Sequence, residues 1–469
     1  MARTDSRDEH PAVVWFRRDL RLSDNPAWAA ATGGHSSVLA VFVREPNLVD
    51  VGAAGPFRAG QLVVNLDALD VELGRLGGRL CVVDGPAEHA LPRLVASHGA
   101  SRVYANADVS PFSRSRDDRV RGATPVEIVW SYGSLVHEPG AVLTKQGTLS
   151  QVFTPFYREW ERTPLSDWPE PRRCTVIEDA GTGIPPEWQA LAAGAPISGG
   201  EREASRRLRH WLGDVDRYGQ THDAVAVDGT SQLSIDLKFG TLAGRTVLDA
   251  VGETTPGRSG FVRQLAWRDW YAHLLMQHPK LVERAMRPEY DAIAWRDDDE
   301  GFMAWCHGRT GFPIVDAGMR QLASTGWMHN RARMITASFL VKDLLIDWRR
   351  GERHFRYLLA DGDTAQNVGN WQWVAGTGPD AAPYFRIFNP VSQGRKFDPD
   401  GDYVRRWIPE LANLDRSLIH APWEGGPLDL AAAGVTLGVD YPYPIVDHAA
   451  ARERALAAYS DVRSSRRVS

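Results

Sequence analysis

Two short segments beyond residue 200 hold side chains that suit a charged ligand. Residues 230 to 234 read Thr-Ser-Gln-Leu-Ser and precede a helical stretch that begins near Leu237. Hydroxyls and free N–H groups at a helix start either cap the helix or hold a phosphate with the same donors and the helix dipole. Asp361 and Asp363, followed by Asn367, could bind a metal or cap the next helix. Metal binding is disfavoured there, because no further acidic or histidine ligands lie nearby in the sequence.

A third segment, residues 327 to 334, reads Trp-Met-His-Asn-Arg-Ala-Arg-Met. It places an amide, two guanidinium groups and a thioether on about two turns of one helix. A buried arginine needs an acidic partner, and Asp361 or Asp363 could supply it. Purely structural ion pairs would produce the same pattern.

A fourth segment places Gln264, Trp267 and Arg268 on one helix face, at spacings of three and four residues. An indole beside an amide and a guanidinium suits stacking and edge hydrogen bonding to a nucleobase, and it equally suits a hydrophobic core. The chain has 17 tryptophans, and most of them are expected in the core, where aromatic burial is commonest.

The elements that must position these residues differ between the two ends of the chain. Up to about residue 135, apolar runs of about five residues alternate with segments of helical period. This alternation predicts right-handed β-α-β crossovers and a doubly wound α/β fold with a parallel sheet covered on both faces. The predicted strands are Ala12–Phe16, Val38–Val43, Leu80–Asp84, Arg102–Asn106 and Val126–Trp130, and the predicted helices between them are Gln61–Leu76 and Glu88–Ser97.

The ligand crevice of such a fold lies outside the carboxyl ends of its strands. Phe16–Asp19, Val43–Glu45 and Asn106–Phe112 are therefore the candidate contacts there. No G-x-G-x-x-G or Walker sequence occurs in this part, so an ordinary dinucleotide or nucleoside triphosphate site is not expected.

Prolines and glycines mark residues 163–200 as a connector, and the chain beyond is helical in period. We expect an α/β domain at 11–135, a connector at 136–200, an all-α domain at 201–460 and a polar tail at 461–469. The clearest predicted helices of the all-α domain are Gly260–Gln277, Pro313–Thr325, Met328–Trp348 and Glu352–Leu359.

Composition narrows the class of protein. A chain of 469 residues is long enough for two domains that bury a large cofactor. Cys81, Cys174 and Cys306 are widely spaced, which argues against a disulfide framework and a zinc site. The N-terminus has no secretory pattern and no apolar run could cross a membrane, so we expect a cytoplasmic protein. The net charge of −5 does not favour DNA binding, but the last third is locally basic.

Four motifs of the helical part together resemble the flavin domain of the photolyase and cryptochrome family, most closely the bacterial class I cyclobutane pyrimidine dimer photolyases. They are Trp-Met-His-Asn-Arg at 327–331, Asp-Gly-Asp at 361–363, Asn367, and Trp-Gln-Trp at 371–373. The stretch Trp-Phe-Arg-Arg-Asp-Leu-Arg-Leu-Ser-Asp-Asn at 15–25 extends the resemblance to the other end, so it covers nearly the whole chain.

The resemblance implies an FAD in the helical domain, with the protein supplying position and electrostatics. Asn367 matches the residue that faces the redox-active edge of the flavin, where an amide can donate or accept a hydrogen bond without adding charge. The positions that match the family's flavin contacts are Tyr218, Thr230, Ser231, Gln232, Leu233, Ser234, Arg268, Asn330, Arg333, Asp361, Asp363 and Asn367.

The resemblance also implies roles for two sets of aromatic residues. Trp371, Trp348 and Trp295, in that order, match the electron chain that reduces the flavin in light. Repair of a flipped-out pyrimidine dimer is likewise implied by the family. The positions that match its dimer pocket are His222, Gln264, Trp267, Asn330, Met334 and Trp373, and Arg395 and Lys396 are expected to contact DNA phosphates.

Asn330 and Met334 match the cyclobutane dimer enzymes, because (6-4) photolyases resemble this stretch but carry histidine at both positions. Two positions depart from the pattern. The family's dimer-binding glutamate falls on Gln264, as in (6-4) enzymes, and a pocket arginine falls on His222. Glutamine can hydrogen-bond a thymine edge but offers no anion, so we expect slower repair or a shifted substrate range.

Members of the family also carry an antenna chromophore in the α/β domain. The loop Asn-Ala-Asp-Val-Ser-Pro-Phe at 106–112 is more similar to members that bind an 8-hydroxy-5-deazaflavin than to those that bind methenyltetrahydrofolate. We therefore expect a monomeric, light-driven photolyase with FAD and an antenna, acting on DNA that contains pyrimidine dimers.

Three rival interpretations remain open. A cryptochrome-type blue-light sensor would use the same flavin and tryptophans, but many such sensors extend well past the flavin domain. A (6-4) photolyase is supported by Gln264 and opposed by Asn330 and Met334. An electron-transfer flavoprotein unrelated to DNA would not require two pocket tryptophans beside basic residues.

Overall fold

The computed structural model describes residues 7–45, 54–380 and 386–465, with the last three of these by their backbone alone. Contacts between Cα atoms divide the chain into two compact units. Unit 1 comprises Met1–Asp216 and Ser231–Pro279, and unit 2 comprises Arg217–Thr230 and Lys280–Ser469. The domain limits given above at residues 135, 200 and 460 stay predictions, and the end of the predicted tail, 466–469, lies outside the described residues.

Unit 1 contains the predicted parallel sheet. The strands are β1 (Ala12–Phe16), β2 (Ser37–Arg44), β3 (Leu80–Asp84), β4 (Arg102–Asn106), β5 (Glu127–Ser131) and β6 (Thr175–Val176). The order is β3-β2-β1-β4-β5, and the short β6 pairs with the start of β2. All five residues of the central strand β1 are buried, as expected where helices cover both faces. The doubly wound α/β prediction is confirmed.

The three helices predicted in unit 1, at Gln61–Leu76, Glu88–Ser97 and Gly260–Gln277, are present to within one residue or extended. Two further helices, α1 (Pro26–Gly34) and α4 (Pro111–Ala123), follow from signals that the periodicity did not reveal. Asn25 caps α1 and Ser110 caps α4, each followed by a proline in the first turn. An Asn or Ser before a proline is a helix-start signal even where the helix itself is polar. The helices are α1 (Pro26–Gly34), α2 (Pro56–Arg75), α3 (Ala87–His98), α4 (Pro111–Ala123), α5 (Phe153–Arg162), α6 (Pro186–Gln189), α7 (Glu201–Trp211), α9 (Ser234–Phe239), α10 (Gly244–Val251) and α11 (Pro256–Gln277).

In its described residues the regular elements of unit 2 are helices, apart from one isolated bridge between Leu437 and Tyr441, which confirms the all-α prediction for this part of the chain. Its helices are α8 (Tyr218–Thr221), α12 (Asp299–Cys306), α13 (Pro313–Thr325), α14 (Asn330–Ser338), α15 (Trp348–Leu358), α16 (Thr364–Ala375), α17 (Pro390–Phe397), α18 (Asp402–Trp407), α19 (Pro427–Ala433) and α20 (His448–Ser465). Over the described ranges, no helix is both long and apolar enough to cross a membrane.

The single helix predicted over Met328–Trp348 is wrong. Helix α14 ends at Ser338, a π-helical turn follows at Phe339–Asp343, and Leu345 has a left-handed φ of 53°. Asp347 then accepts a hydrogen bond from the N–H of Arg349 and starts α15. The apolar periodicity continued through this break because the turn is itself buried.

Candidate active site

The two aspartates of the 361–363 segment have different partners. Asp363 caps α16 by accepting from the N–H of Gln366 at 3.1 Å, so the capping prediction is confirmed for this residue. Asp361 accepts from Nη2 of Arg333 at 2.8 Å through Oδ2, as predicted for one of the arginines. Its other oxygen, Oδ1, is buried and has no hydrogen-bond partner among the described residues. An acceptor left over in this way suits a hydrogen-bond donor on a ligand.

Arg331, the second arginine of the 327–334 segment, does not bind Asp361 or Asp363. Its Nη2 lies 2.7 Å from Oδ1 of Asp223, and its guanidinium lies over the ring of Phe397 at 4.3 Å. The expected acidic partner thus came from a part of the chain 108 residues away. Sequence spacing gave no sign of this pair.

The amide of Asn367 is held by one neighbour. Its Nδ2 donates to the backbone oxygen of Glu352 at 3.0 Å and to Oε1 of the same residue at 2.9 Å. Both side chains are buried. Glu352 was not among the predicted site residues, because in the sequence it resembles an ordinary charged residue on a helix surface.

The three tryptophans assigned to electron transfer all lie in unit 2. Trp371 and Trp348 are buried, and Trp295 is half-buried and contacts the ring of Tyr459 at 6.3 Å. Trp371 has ring contacts with Phe355 at 4.9 Å and with Trp305 at 6.1 Å.

Trp305 is an aromatic neighbour of Trp371 that the sequence reasoning missed. It is fully buried, and its Nε1 donates to the backbone oxygen of Thr336 at 2.9 Å. The density of tryptophans between residues 267 and 373 was the available signal, but it could not say which rings touch.

Helix α14 brings two of the predicted lesion residues together in unit 2. Asn330 begins the helix and is exposed, and its Nδ2 lies 3.8 Å from Sδ of the half-buried Met334. Trp373 is half-buried, and its Nε1 has no partner among the described residues.

His222 and Tyr218 form a second group in unit 2. Nδ1 of His222 lies 2.9 Å from the backbone oxygen of Tyr218, and the two rings are 5.0 Å apart. Burial and then the charge of Asp223 raise the pKa of Tyr218 to about 12, so its phenol is protonated at neutral pH.

The α11 residues lie in unit 1. Arg268 donates to the backbone oxygens of Ser134 at 2.5 Å and Leu237 at 3.0 Å. The half-buried Trp267 stacks on Phe153, with ring centroids 3.6 Å apart and planes 10° apart. One face of the indole is therefore covered, and only the opposite face could take a stacked base. Gln264 is exposed.

The hydroxyl segment at 230–234 does not act as the helix cap that its sequence allows. The N-cap of α9 is Leu233, and no side chain caps this helix. Oγ of Ser231 accepts instead from the N–H of Leu233 at 3.3 Å, and Gln232 adopts a left-handed φ of 53°. Thr230 belongs to unit 2 and residues 231–234 to unit 1. The capping interpretation is wrong for α9.

The loops at the carboxyl ends of β1 and β4 hold a network of paired charges in unit 1. Nη1 of Arg17 lies 2.7 Å from Asp117, and Nη1 of Arg18 lies 3.1 Å from Asp108. Burial alone would raise the pKa of Asp108, but the charges of Arg18 and Arg17 outweigh it and hold that pKa well below its usual range. These loops include the predicted crevice ranges 16–19 and 106–112.

The two basic residues assigned to DNA binding follow each other at the end of α17. Arg395 is exposed and forms an ion pair with Glu424 at 2.9 Å. Nζ of Lys396 lies 5.0 Å from the ring centre of Phe397. Arg395 must therefore leave Glu424 before it can bind a phosphate.

Comparison with known proteins identifies the family. The model of the FAD binding domain of DNA photolyase matches residues 261–461, and the DNA photolyase model matches residues 12–172. The deoxyribodipyrimidine photo-lyase of Agrobacterium fabrum is 42% identical over 97% of this chain and 98% of its own length.

Two crystal structures are similar to this chain over nearly its whole length. The class III photolyase of Agrobacterium tumefaciens superposes with a TM-score of 0.88 at 40% identity, covering 99% of this chain and all of its own. The cryptochrome of Synechocystis sp. PCC6803 gives a TM-score of 0.88 at 29% identity, covering 96% of this chain and all of its own. The class I assignment and the individual residue roles stay predictions. The chain belongs to the DNA photolyase family.

Proposed function

We propose that this protein splits cyclobutane pyrimidine dimers in DNA under blue light. The observation that supports this substrate best is the pairing of Asn330 and Met334 at the exposed start of α14, with 3.8 Å between Nδ2 and Sδ. The two positions carry histidine in the (6-4) enzymes, which resemble this stretch of the chain. Reduced FAD, when bound, supplies the electron that opens the dimer after it absorbs light.

Several side chains fit an FAD. In unit 2, Oδ1 of Asp361 has no partner among the described residues and would accept a hydrogen bond from the cofactor, while Arg333 holds that carboxylate in place. Asn367 faces the redox-active edge of the ring system. Residues 231–234 and Arg268 of unit 1 match further flavin contacts of the family, and the hydroxyl and N–H donors of this uncapped segment suit a phosphate.

In unit 1 Trp267 is assigned to stacking on the dimer through the face opposite Phe153, and in unit 2 the same role is assigned to Trp373. The first ring is held by Phe153, and the second has an indole N–H without a partner among the described residues. Gln264 hydrogen-bonds a thymine edge, and His222 replaces the arginine that the family places in this pocket. Because a neutral amide stabilises developing negative charge less than an acid that shares its proton, we expect slower repair than with a glutamate.

Trp371, Trp348 and Trp295 carry electrons to the flavin during its photoreduction. Arg395 and Lys396 bind DNA phosphates, with Glu424 released from Arg395 on binding. Their contribution is tested by the salt dependence of DNA affinity: each lost phosphate contact lowers the slope of log K against log salt by about 1. Unchanged slopes in Arg395→Ala and Lys396→Ala would remove both residues from the DNA interface.

We further propose an antenna chromophore of the 8-hydroxy-5-deazaflavin type at the carboxyl ends of β1 and β4. Arg17 supports it, because its Nε and Nη2 are buried without a partner among the described residues. We also propose, as predicted from the sequence, that the protein is a monomer and acts in the cytoplasm. Chromophore extraction from the purified protein, followed by mass spectrometry, tests the antenna assignment.

The substrate is tested with two oligonucleotides, one with a cyclobutane thymine dimer and one with a (6-4) lesion, and with the purified protein carrying reduced FAD. Splitting of the cyclobutane dimer alone is the expected result. Repair of the (6-4) lesion would make Gln264 the decisive pocket residue. Repair of neither would move the chain to the cryptochromes, to which its structure is equally similar.

A further inference from the structure

The hydrogen bonds around Asn367 fix which end of its amide is available. Nδ2 lies 3.0 Å from the backbone oxygen and 2.9 Å from Oε1 of Glu352. An amide nitrogen has two hydrogens, and here each has its own acceptor. Both residues are less than a tenth exposed, so water does not compete for these bonds.

The opposite orientation of the amide is excluded by its neighbours. Flipping Asn367 would place Oδ1 against a carbonyl oxygen and a carboxylate, neither of which can donate. It would also move the amide hydrogens away from both acceptors, and a buried polar group left without a hydrogen bond is unfavourable. Oδ1 is therefore the polar atom that points away from Glu352, and it can only accept.

We propose that Glu352 is a positioning residue that makes Asn367 a pure hydrogen-bond acceptor toward the flavin. This inference rests on the proposed function, in which Asn367 faces the redox-active edge of FAD. The ring nitrogen at that edge has no proton in the oxidised flavin and gains one on reduction. An acceptor facing it stabilises the protonated form and repels the lone pair of the oxidised form. Glu352 thus shifts the flavin toward reduction without touching it.

A carboxylate performs this task better than an amide would. A carboxylate can only accept, whereas a glutamine could present its own NH₂ group and allow Asn367 to flip. Nε of Arg356, one turn further along α15, lies 3.5 Å from Oε1 and offsets part of the buried negative charge.

A double-mutant cycle on the purified, FAD-loaded protein tests the proposal. Glu352→Gln, Asn367→Ala and the double variant are compared by redox titration, followed by the absorption of the flavin. At a fixed potential, Glu352→Gln is expected to lower the ratio of reduced to oxidised flavin about tenfold, which is about 30 mV for a two-electron couple. In the Asn367→Ala background the same change is expected to do nothing, because the two residues act as one unit.

Glu410→Gln is the matched control. Glu410 is a half-buried glutamate of the same unit that forms an ion pair with Arg320 at 2.7 Å, and its loss is expected to leave the flavin potential unchanged. Equal shifts from Glu352→Gln in both backgrounds would mean that its charge acts on the flavin directly. A fall in Tm without any shift in potential would reduce Glu352 to a structural role. Either result overturns the proposal.

If a variant loses FAD, infrared difference spectra of the wild-type protein provide an independent test. The protein is grown with asparagine labelled in the side-chain carbonyl. Reduction is expected to lower the frequency of one asparagine carbonyl band, and an unchanged band would contradict the proposal. The proposed function is judged separately by dimer repair. If wild-type protein repairs dimers while the cycle is additive, only the role of Glu352 fails.

Discussion

Two regions of the molecule use the same residue types in different ways. At the carboxyl ends of β1 and β4, both oxygens of Asp117 accept from Nη1 of Arg17, and both oxygens of Asp19 are also engaged. Near the start of α16, Asp361 uses one oxygen for Arg333 and leaves the other buried without a partner among the described residues.

The surroundings of two tryptophans, Trp15 and Trp371, also differ between the two regions. Trp15, in the first region, lies 4.7 Å from the guanidinium carbons of both Arg17 and Arg116, and a nearby cation opposes the loss of an electron from the ring. Trp371, in the second region, has ring contacts with Phe355 and Trp305. A carboxylate with both oxygens engaged offers no acceptor to a flavin, and an indole beside two cations is harder to oxidise. A half-satisfied carboxylate and an indole among neutral rings are parts of a site.

The largest effect is expected from substitution of Trp371. Trp371→Phe should abolish photoreduction of the flavin, because phenylalanine is much harder to oxidise, and should spare repair by enzyme reduced beforehand. Flavin absorption under blue light and dimer splitting measure the two activities. Trp15→Phe serves as the control, with photoreduction intact. Equal loss of both activities in Trp371→Phe would break the contrast between the indoles.

The carboxylate of Asp117, both of whose oxygens are engaged, should contribute to the stability of the fold. Asp117→Asn leaves the buried guanidinium of Arg17 without its counter-charge, and both side chains are less than a tenth exposed. We expect a loss of about 3 kcal/mol in the free energy of unfolding, by analogy with other broken buried ion pairs. Denaturant titration measures it, and FAD content should stay unchanged. Loss of FAD without loss of stability would reverse the roles of the two regions.

Acid should act on both units alike, through histidines buried in the neutral form. Burial lowers the pKa of His273 in unit 1 and of His329 in unit 2 to about 4. The unfolded chain takes up these protons near pH 6.5, so their stabilisation is complete above that pH and is lost progressively as the pH falls to 4.

At pH 5 each of the two histidines should cost about 2 kcal/mol. Thermal unfolding between pH 7 and 4.5 measures the slope. His273→Gln and His329→Asn should each remove part of it, and parallel slopes in wild type and variants would contradict the assignment.

The carboxylate of Asp361, one oxygen of which has no partner among the described residues, should contribute to FAD affinity. Asp361→Asn keeps the size of the side chain but removes the charge on the oxygen offered to FAD and weakens the bond to Arg333. Because Arg333 is partly exposed, solvent screens its loss, and we expect FAD affinity to fall only about tenfold. Fluorescence of FAD released on dilution gives the affinity. Asp117→Asn is the control, and an equal loss there would remove the distinction between the two carboxylates.

Local sequence signals predicted much of the fold. Strands β1, β3 and β4 have the predicted ends, because five-residue apolar runs bounded by polar turns leave little freedom. Helix α13 likewise begins at its proline and ends before Gly326, as predicted. The prediction of one helix over Met328–Trp348 was wrong, because a buried π-helical turn keeps the apolar pattern of a continuous helix while it changes the path of the backbone.

The amino-acid sequence by itself determined the α/β and all-α parts and the resemblance to photolyases, because the patterns that carry them are formed by residues close together in the chain. Only the tertiary structure decided that Arg331 binds Asp223, that Trp305 contacts Trp371, and that Glu352 orients Asn367. Glu352 lies in a run of charged residues and has no distinguishing neighbour in sequence. Its role depends on a hydrogen-bond geometry between two helices, which forms only when the helices pack.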